Sequence, residues 1–197
     1  MDQSGIFATA LQYFFIDYDL LRSSEDIDIS LLLTGHPINN TLINYIIDNV
    51  AEYRKDLVTF VTPAGLTPGS YTAQDVVAAM QGVSASSYAV VDSGYKYQYD
   101  KYADVYRWIP LNGDIAGLCA RTDDIRDAWF SPAGYNRGSV KNVVKLSLNP
   151  NRTERDLLYK NYINPVVTQK GQGTVLFGDK TFLGKPSALY HPSLFLL

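Results

Sequence analysis

Apolar residues change period several times along this chain, and each change marks an element. Asp28 to Thr34 (DISLLLT) is a short, almost wholly apolar run that reads as a buried strand, ended by Gly35, His36 and Pro37. Leu42, Ile43, Ile46, Ile47 and Val50 then recur at helical spacing behind Asn40 or Thr41, either of which can cap the helix. Leu57 to Thr62 (LVTFVT) is a second strand, closed by Pro63 and the Gly/Pro-rich turn from Ala64 to Ser70. Thr72 caps a short helix with Val76, Val77 and Met80 on one side, and Ser87 to Asp92 (SYAVVD) is a further buried strand. Strands and helices alternating in this order predict parallel pairing with right-handed crossovers. Residues 1–25 read as a helical lead-in.

The second half alternates less cleanly. Tyr95, Tyr97 and Tyr99 fall on one face of an extended segment, and Asn112 or Asp114 can cap a helix running through Ile115, Leu118 and Cys119 to about Ile125. Trp129 to Gly138 (WFSPAGYNRG) packs aromatics, a proline, two glycines and an arginine into a stretch that cannot be regular helix or strand. Pro132 lacks an amide donor, and Gly134 and Gly138 can take positive φ at little steric cost. Val143 to Leu148 reads as a strand, Thr153 to Tyr162 as a helix with a Ser/Thr-type cap, and Thr174 to Phe177 as a last short strand after Gly173. The expected class is α/β, with a mixed, largely parallel sheet flanked by helices and long irregular loops in the second half.

Composition narrows the function. A chain of 197 residues with 46% hydrophobic and 19% charged residues has the makeup of a packed fold rather than a disordered one. Seventeen basic residues against twenty acidic ones, with no Lys/Arg run beyond two, lack the footprint of a nucleic-acid binder. No apolar stretch approaches the ~20 residues of a membrane span. The single cysteine, Cys119, excludes an internal disulfide. Fifteen tyrosines are a surplus of the residue that proteins favour where they meet one another.

Candidate chemistry is sparse. A parallel sheet places ligand sites at the carboxyl ends of its strands, so the turn at Gly35 is where an enzyme or nucleotide site belongs. That turn has one glycine where a dinucleotide fingerprint needs three. Gly173 to Thr181 resembles a phosphate loop, yet Thr174 to Phe177 are β-forming and Asp179 adds negative charge. His36 and His191 have no evident partner, Cys119 falls on the apolar side of its helix, and no cluster has zinc spacing. Asp123, Asp124 and Asp127 read as a solvated helix end. Arg137, the charge inside the glycine-rich loop, either pairs with an acid of its own fold or works between molecules. No cofactor is expected.

Four pieces in order resemble the phage tail sheath proteins, the myovirus type in particular. They are DISLLLTG (Asp28 to Gly35), IPLNGDIAGLCARTD (Ile109 to Asp123), the WFSPAGYNRG loop, and a closing set. The closing set joins Asn149 with ERDLLYKNYINPV (Glu154 to Val166) and GQGTVLFGDKT (Gly171 to Thr181). The resemblance spans roughly Tyr18 to Pro186. It implies a non-enzymatic structural subunit that stacks in hexameric rings around a tail tube, above a baseplate, and contracts to drive the tube through the host envelope. It also implies a place in the virion tail after assembly in the host cytoplasm, with contacts to sheath subunits and none to nucleic acid or membrane. Trp129, Pro132, Gly134, Arg137 and Gly138 become the signature loop and the candidate intersubunit contacts. On this reading 26–186 is the sheath-like core, and 187–197 an atypical tail that looks truncated.

Overall fold

The computed structural model of the chain describes residues 12–37 and 39–183. The expectations for 1–11, for the tail 187–197 and for His191 lie outside them.

Four short strands build a parallel sheet: β1 (Leu31–Leu33), β2 (Val58–Val61), β3 (Ala89–Asp92) and β8 (Ile163–Asn164), in the order β1-β2-β3-β8. Leu32 lies opposite Thr59, Phe60 opposite Val90, and Val91 opposite Ile163. Every residue of β2 and β3 is buried, because helices cover both faces. On one face Val58, Phe60 and Val90 pack under Ile115, Leu118 and Cys119 of α4 (Asn112–Ile125). On the other, Val61 and Val91 meet Ile43 of α2 (Asn40–Ile46), Val76 of α3 (Ala73–Ala79) and Leu158 of α5 (Arg152–Lys160).

The cap of α2 falls one residue before the expected Asn40 or Thr41. Asn39 Oδ1 accepts the Leu42 amide at 3.0 Å. The helix loosens into a π turn over Ile47–Ala51 and stops at Lys55 in the left-handed region. Thr72 caps α3 as expected, completing a reciprocal pair with Asp75. The helix over 12–19, α1, stacks Phe15 on Tyr45 at 4.3 Å between centroids. Arg54 clasps the carbonyls of Leu21 and Ile27 at 2.9 and 3.0 Å, fastening the lead-in to the core.

The second half is more sheet-like than its sequence suggests. β4 (Tyr95–Asp100) and β5 (Val105–Pro110) form an antiparallel hairpin, joined by β7 (Lys145–Leu146). β6 (Ser139–Val140), β10 (Gly173–Leu176) and β9 (Val166–Gln169) form another antiparallel sheet in that order. Only Lys145–Leu146 of the expected strand Val143 to Leu148 is paired. The tyrosine triplet does share a face, with burial falling from Tyr95, 2% exposed, to Tyr99, 45% exposed.

Two further caps differ from expectation. Leu111 precedes α4 without a side-chain cap. Asn112 instead donates to the Gly35 carbonyl at 2.6 Å, and Asp114 pairs with Lys96 at 2.8 Å. Asn151 caps α5 in a reciprocal pair with Glu154, where Ser or Thr was expected.

Candidate intersubunit surface

The carboxyl ends of the parallel strands are closed by the chain's own polar groups. Asn112 reaches Gly35 at the end of β1, and Thr34 Oγ1 donates to the Phe60 carbonyl at 3.1 Å. Past β2, the Thr62 hydroxyl donates to Asp92 Oδ2 at 2.6 Å, and the Gly94 amide donates to Asp92 Oδ1 at 2.7 Å. Asn164 bonds the Val91 carbonyl and both the amide and the carbonyl of Lys180. Burial pushes the Asp92 carboxyl up to about 8 against the lowering effect of its two hydrogen bonds. His36 does have a partner, contrary to expectation: its Nδ1 lies 2.8 Å from the Tyr95 hydroxyl. Burial also drives the Cys119 thiol up to about 12, the opposite of what a nucleophile requires. Among the described residues no group of three or more His, Cys, Asp and Glu could hold a metal, and no helix is long and apolar enough to cross a membrane.

The glycine-rich loop turns outward. It follows α4 and is riveted to β10, where the Gly134 amide donates to the Leu176 carbonyl at 2.9 Å and the Leu176 amide to Gly138 at 2.8 Å. The Gly138 amide closes back on the Gly134 carbonyl at 2.7 Å. Gly134 needs its positive φ of 91°, and Gly138 needs its missing Cβ. Pro132 is buried beneath this turn. Above it Trp129 is 58% exposed, stacked beside Phe130 at 6.2 Å. Tyr135 meets Phe177 edge-on at 5.5 Å.

Among the described residues Arg137 pairs with no acid. Its Nε donates to the Ser131 carbonyl at 2.7 Å, and its guanidinium lies over Phe130 at 5.6 Å. It lines a cleft of about 360 Å³ with Arg121, Thr122, Ile125, Arg126 and Asn136. No motif in the sequence singles out Arg121 and Arg126 as site residues. Only the fold, by ending α4 beside the loop, brings them to Arg137.

Over residues 22–182 the chain matches the family described as the phage tail sheath protein central domain. The chain belongs to the phage tail sheath protein family. It is 42% identical over 193 residues to the tail sheath protein of Vibrio phage KVP40, covering 86% of this chain and 29% of that one. It is 38% identical to the tail sheath protein of Enterobacteria phage T4, covering 86% and 28%. The chain therefore spans under a third of the length of these curated relatives. Its fold is shared with the PVC sheath complex of an extracellular contractile injection system in its contracted state, at a TM-score of 0.64 and 20% identity over 81% of this chain and 42% of that one. The alternative of an enzyme or nucleotide-binding module at Gly35 finds no support in these sheath matches, and the strand ends at that turn are knitted by internal hydrogen bonds.

Proposed function

We propose that this chain forms the central α/β part of a contractile tail sheath subunit and acts through shape and self-docking, without bond chemistry. Copies stack as hexameric rings around a tail tube, in contact with a baseplate. Rearrangement across their interfaces shortens the sleeve and drives the tube through the host envelope during DNA injection. The protein is made in the host cytoplasm and resides in the virion tail. Family membership across nearly the whole described core is the observation that carries the reading. A loop fixed to the core by two backbone hydrogen bonds and closed by a third within itself, with aromatics and an arginine at its rim, supports Trp129 and Arg137 as contacts between subunits. Pro132, Gly134 and Gly138 serve by shaping that rim.

Electron microscopy tests it directly. Tagged chain mixed with a full-length tail sheath protein should enter ordered sleeves, and its exclusion from every ordered assembly counts against the proposal. A thermal-shift screen with nucleotides and sugar phosphates tests the enzyme alternative. A ligand at a hundredfold over its Kd adds ~2.7 kcal/mol, so a stabilisation of that order would favour a site at Gly35.

A further inference from the structure

We propose that the arginine cleft beside the glycine-rich loop receives the acidic segment around Glu25 and Asp26 of a second copy of this chain. The inference rests on the subunit reading and assigns two of the faces that meet. Arg121 and Arg126 are exposed on the cleft wall, and neither side chain has an ion-pair or hydrogen-bond partner among the described residues. At 100° per residue, Arg121, Thr122 and Ile125 occupy one arc of α4, with Asp123 and Asp124 off it, and Arg126 follows as the C-cap residue lining the same cleft. Ile125, 59% exposed, supplies apolar area in the cleft lining, and the Phe130 ring lies against the Arg137 guanidinium. Aromatic and arginine side chains around a cleft are the composition of interface hot spots, and the guanidinium fork selects carboxylates.

The occupant follows from charge. Residues 17–28 carry Asp17, Asp19, Glu25, Asp26 and Asp28 against Arg22 alone, and all five acids are exposed. Asp28 is partly engaged by Arg54, and Asp19 by Arg22, whereas Glu25 and Asp26 have no ion-pair partner among the described residues. Glu25 lines its own open cleft of about 540 Å³ with Arg22 and Tyr53. Within one molecule the two patches cannot meet. The acidic segment packs with α1 and α2 on the Leu32 face of the parallel sheet, while α4 lies on the Phe60 face. Two different patches pairing between copies make a heterologous contact, the kind that closes into a ring or propagates as a helix.

Self-association of the full chain is the readout, measured by sedimentation velocity at low and high salt. Wild type should associate with concentration and dissociate as salt shortens the screening length to well under ~10 Å. Arg121→Glu/Arg126→Glu and Glu25→Lys/Asp26→Lys should each weaken association at least about tenfold while keeping the native circular dichroism spectrum. Mixing the two variants should restore pairing. A wild type that stays monomeric at every concentration, association indifferent to either variant, or a mixture that fails to pair overturns the proposal. So does a cleft that binds duplex DNA or inorganic phosphate and ignores the acidic variant. Sleeves that admit both variants unchanged sink this contact and leave the subunit reading standing. Salt-sensitive pairing without entry of wild type into sleeves does the reverse.

Discussion

Thr62 and Asp92 face each other at the ends of adjacent parallel strands, 2.6 Å apart, with the carboxyl fully enclosed. Burial favours the neutral acid, so the folded carboxyl titrates near 8 against 3.8 for a free one, with Asp114 adding a smaller push in the same direction. Between those values the native state holds a proton that the unfolded chain has lost, so stability falls as pH rises through the window. The slope from this group is at most about 1.4 kcal/mol per pH unit. Asp92→Asn keeps an acceptor for the Gly94 amide and puts an NH2 where the protonated oxygen stands, with the Thr62 hydroxyl turning from donor to acceptor. Urea unfolding from pH 5 to 8 should show a declining stability that the variant flattens.

Two glycines in the outward loop should fail in different ways. A Cβ on Gly138 would sit 2.9 Å from the Gly134 amide nitrogen and carbonyl oxygen and 3.0 Å from the Leu176 carbonyl, all of them backbone. Gly134 has open space around it and a φ of 91°. Gly138→Ala should therefore cost about 2–3 kcal/mol by overpacking, and Gly134→Ala about 1–2 kcal/mol by backbone strain. Thermal melts rank them, and equal costs would mean the loop shifts freely.

Those glycines also mark how far the sequence could be read. Period alone placed β1, β2, β3, α2 and α3, because each buries a full apolar face against the next. It could not place β6 or β8, whose two residues carry too little pattern and pair only with distant strands, or β9, which forms a hairpin with β10. Asn112 looked like a cap because Asn at a helix start usually is one, yet its amide is spent on Gly35, 77 residues away. The loop was legible as a shape. Its neighbours Arg121 and Arg126 were not, since only the fold brings the end of α4 beside Arg137.

Arg137 ties the loop to itself rather than to an acid, through Ser131 and the Phe130 face. Arg137→Ala removes one charge-assisted bond and a partly exposed ring contact, together about 1–2 kcal/mol. The core does not depend on them, so far-UV circular dichroism should be unchanged while proteolysis within 129–138 accelerates. Loss of the whole spectrum would make the side chain a structural keystone.

Thr59 offers the opposite sign. Its hydroxyl is the buried side-chain polar atom without a hydrogen-bond partner among the described residues, in the middle of β2 with no exposed surface. Its backbone stays in the ladder, paired with Leu32 on one side and Ala89 on the other. Thr59→Val keeps the branch and the volume and removes only the unsatisfied group, which costs roughly 1–3 kcal/mol to bury. Valine also suits a strand enclosed on both faces. The variant should gain about 1 kcal/mol in urea unfolding with an unchanged m-value. A loss instead would show that the hydroxyl finds a partner in solution, such as a water reaching the sheet between β1 and β3.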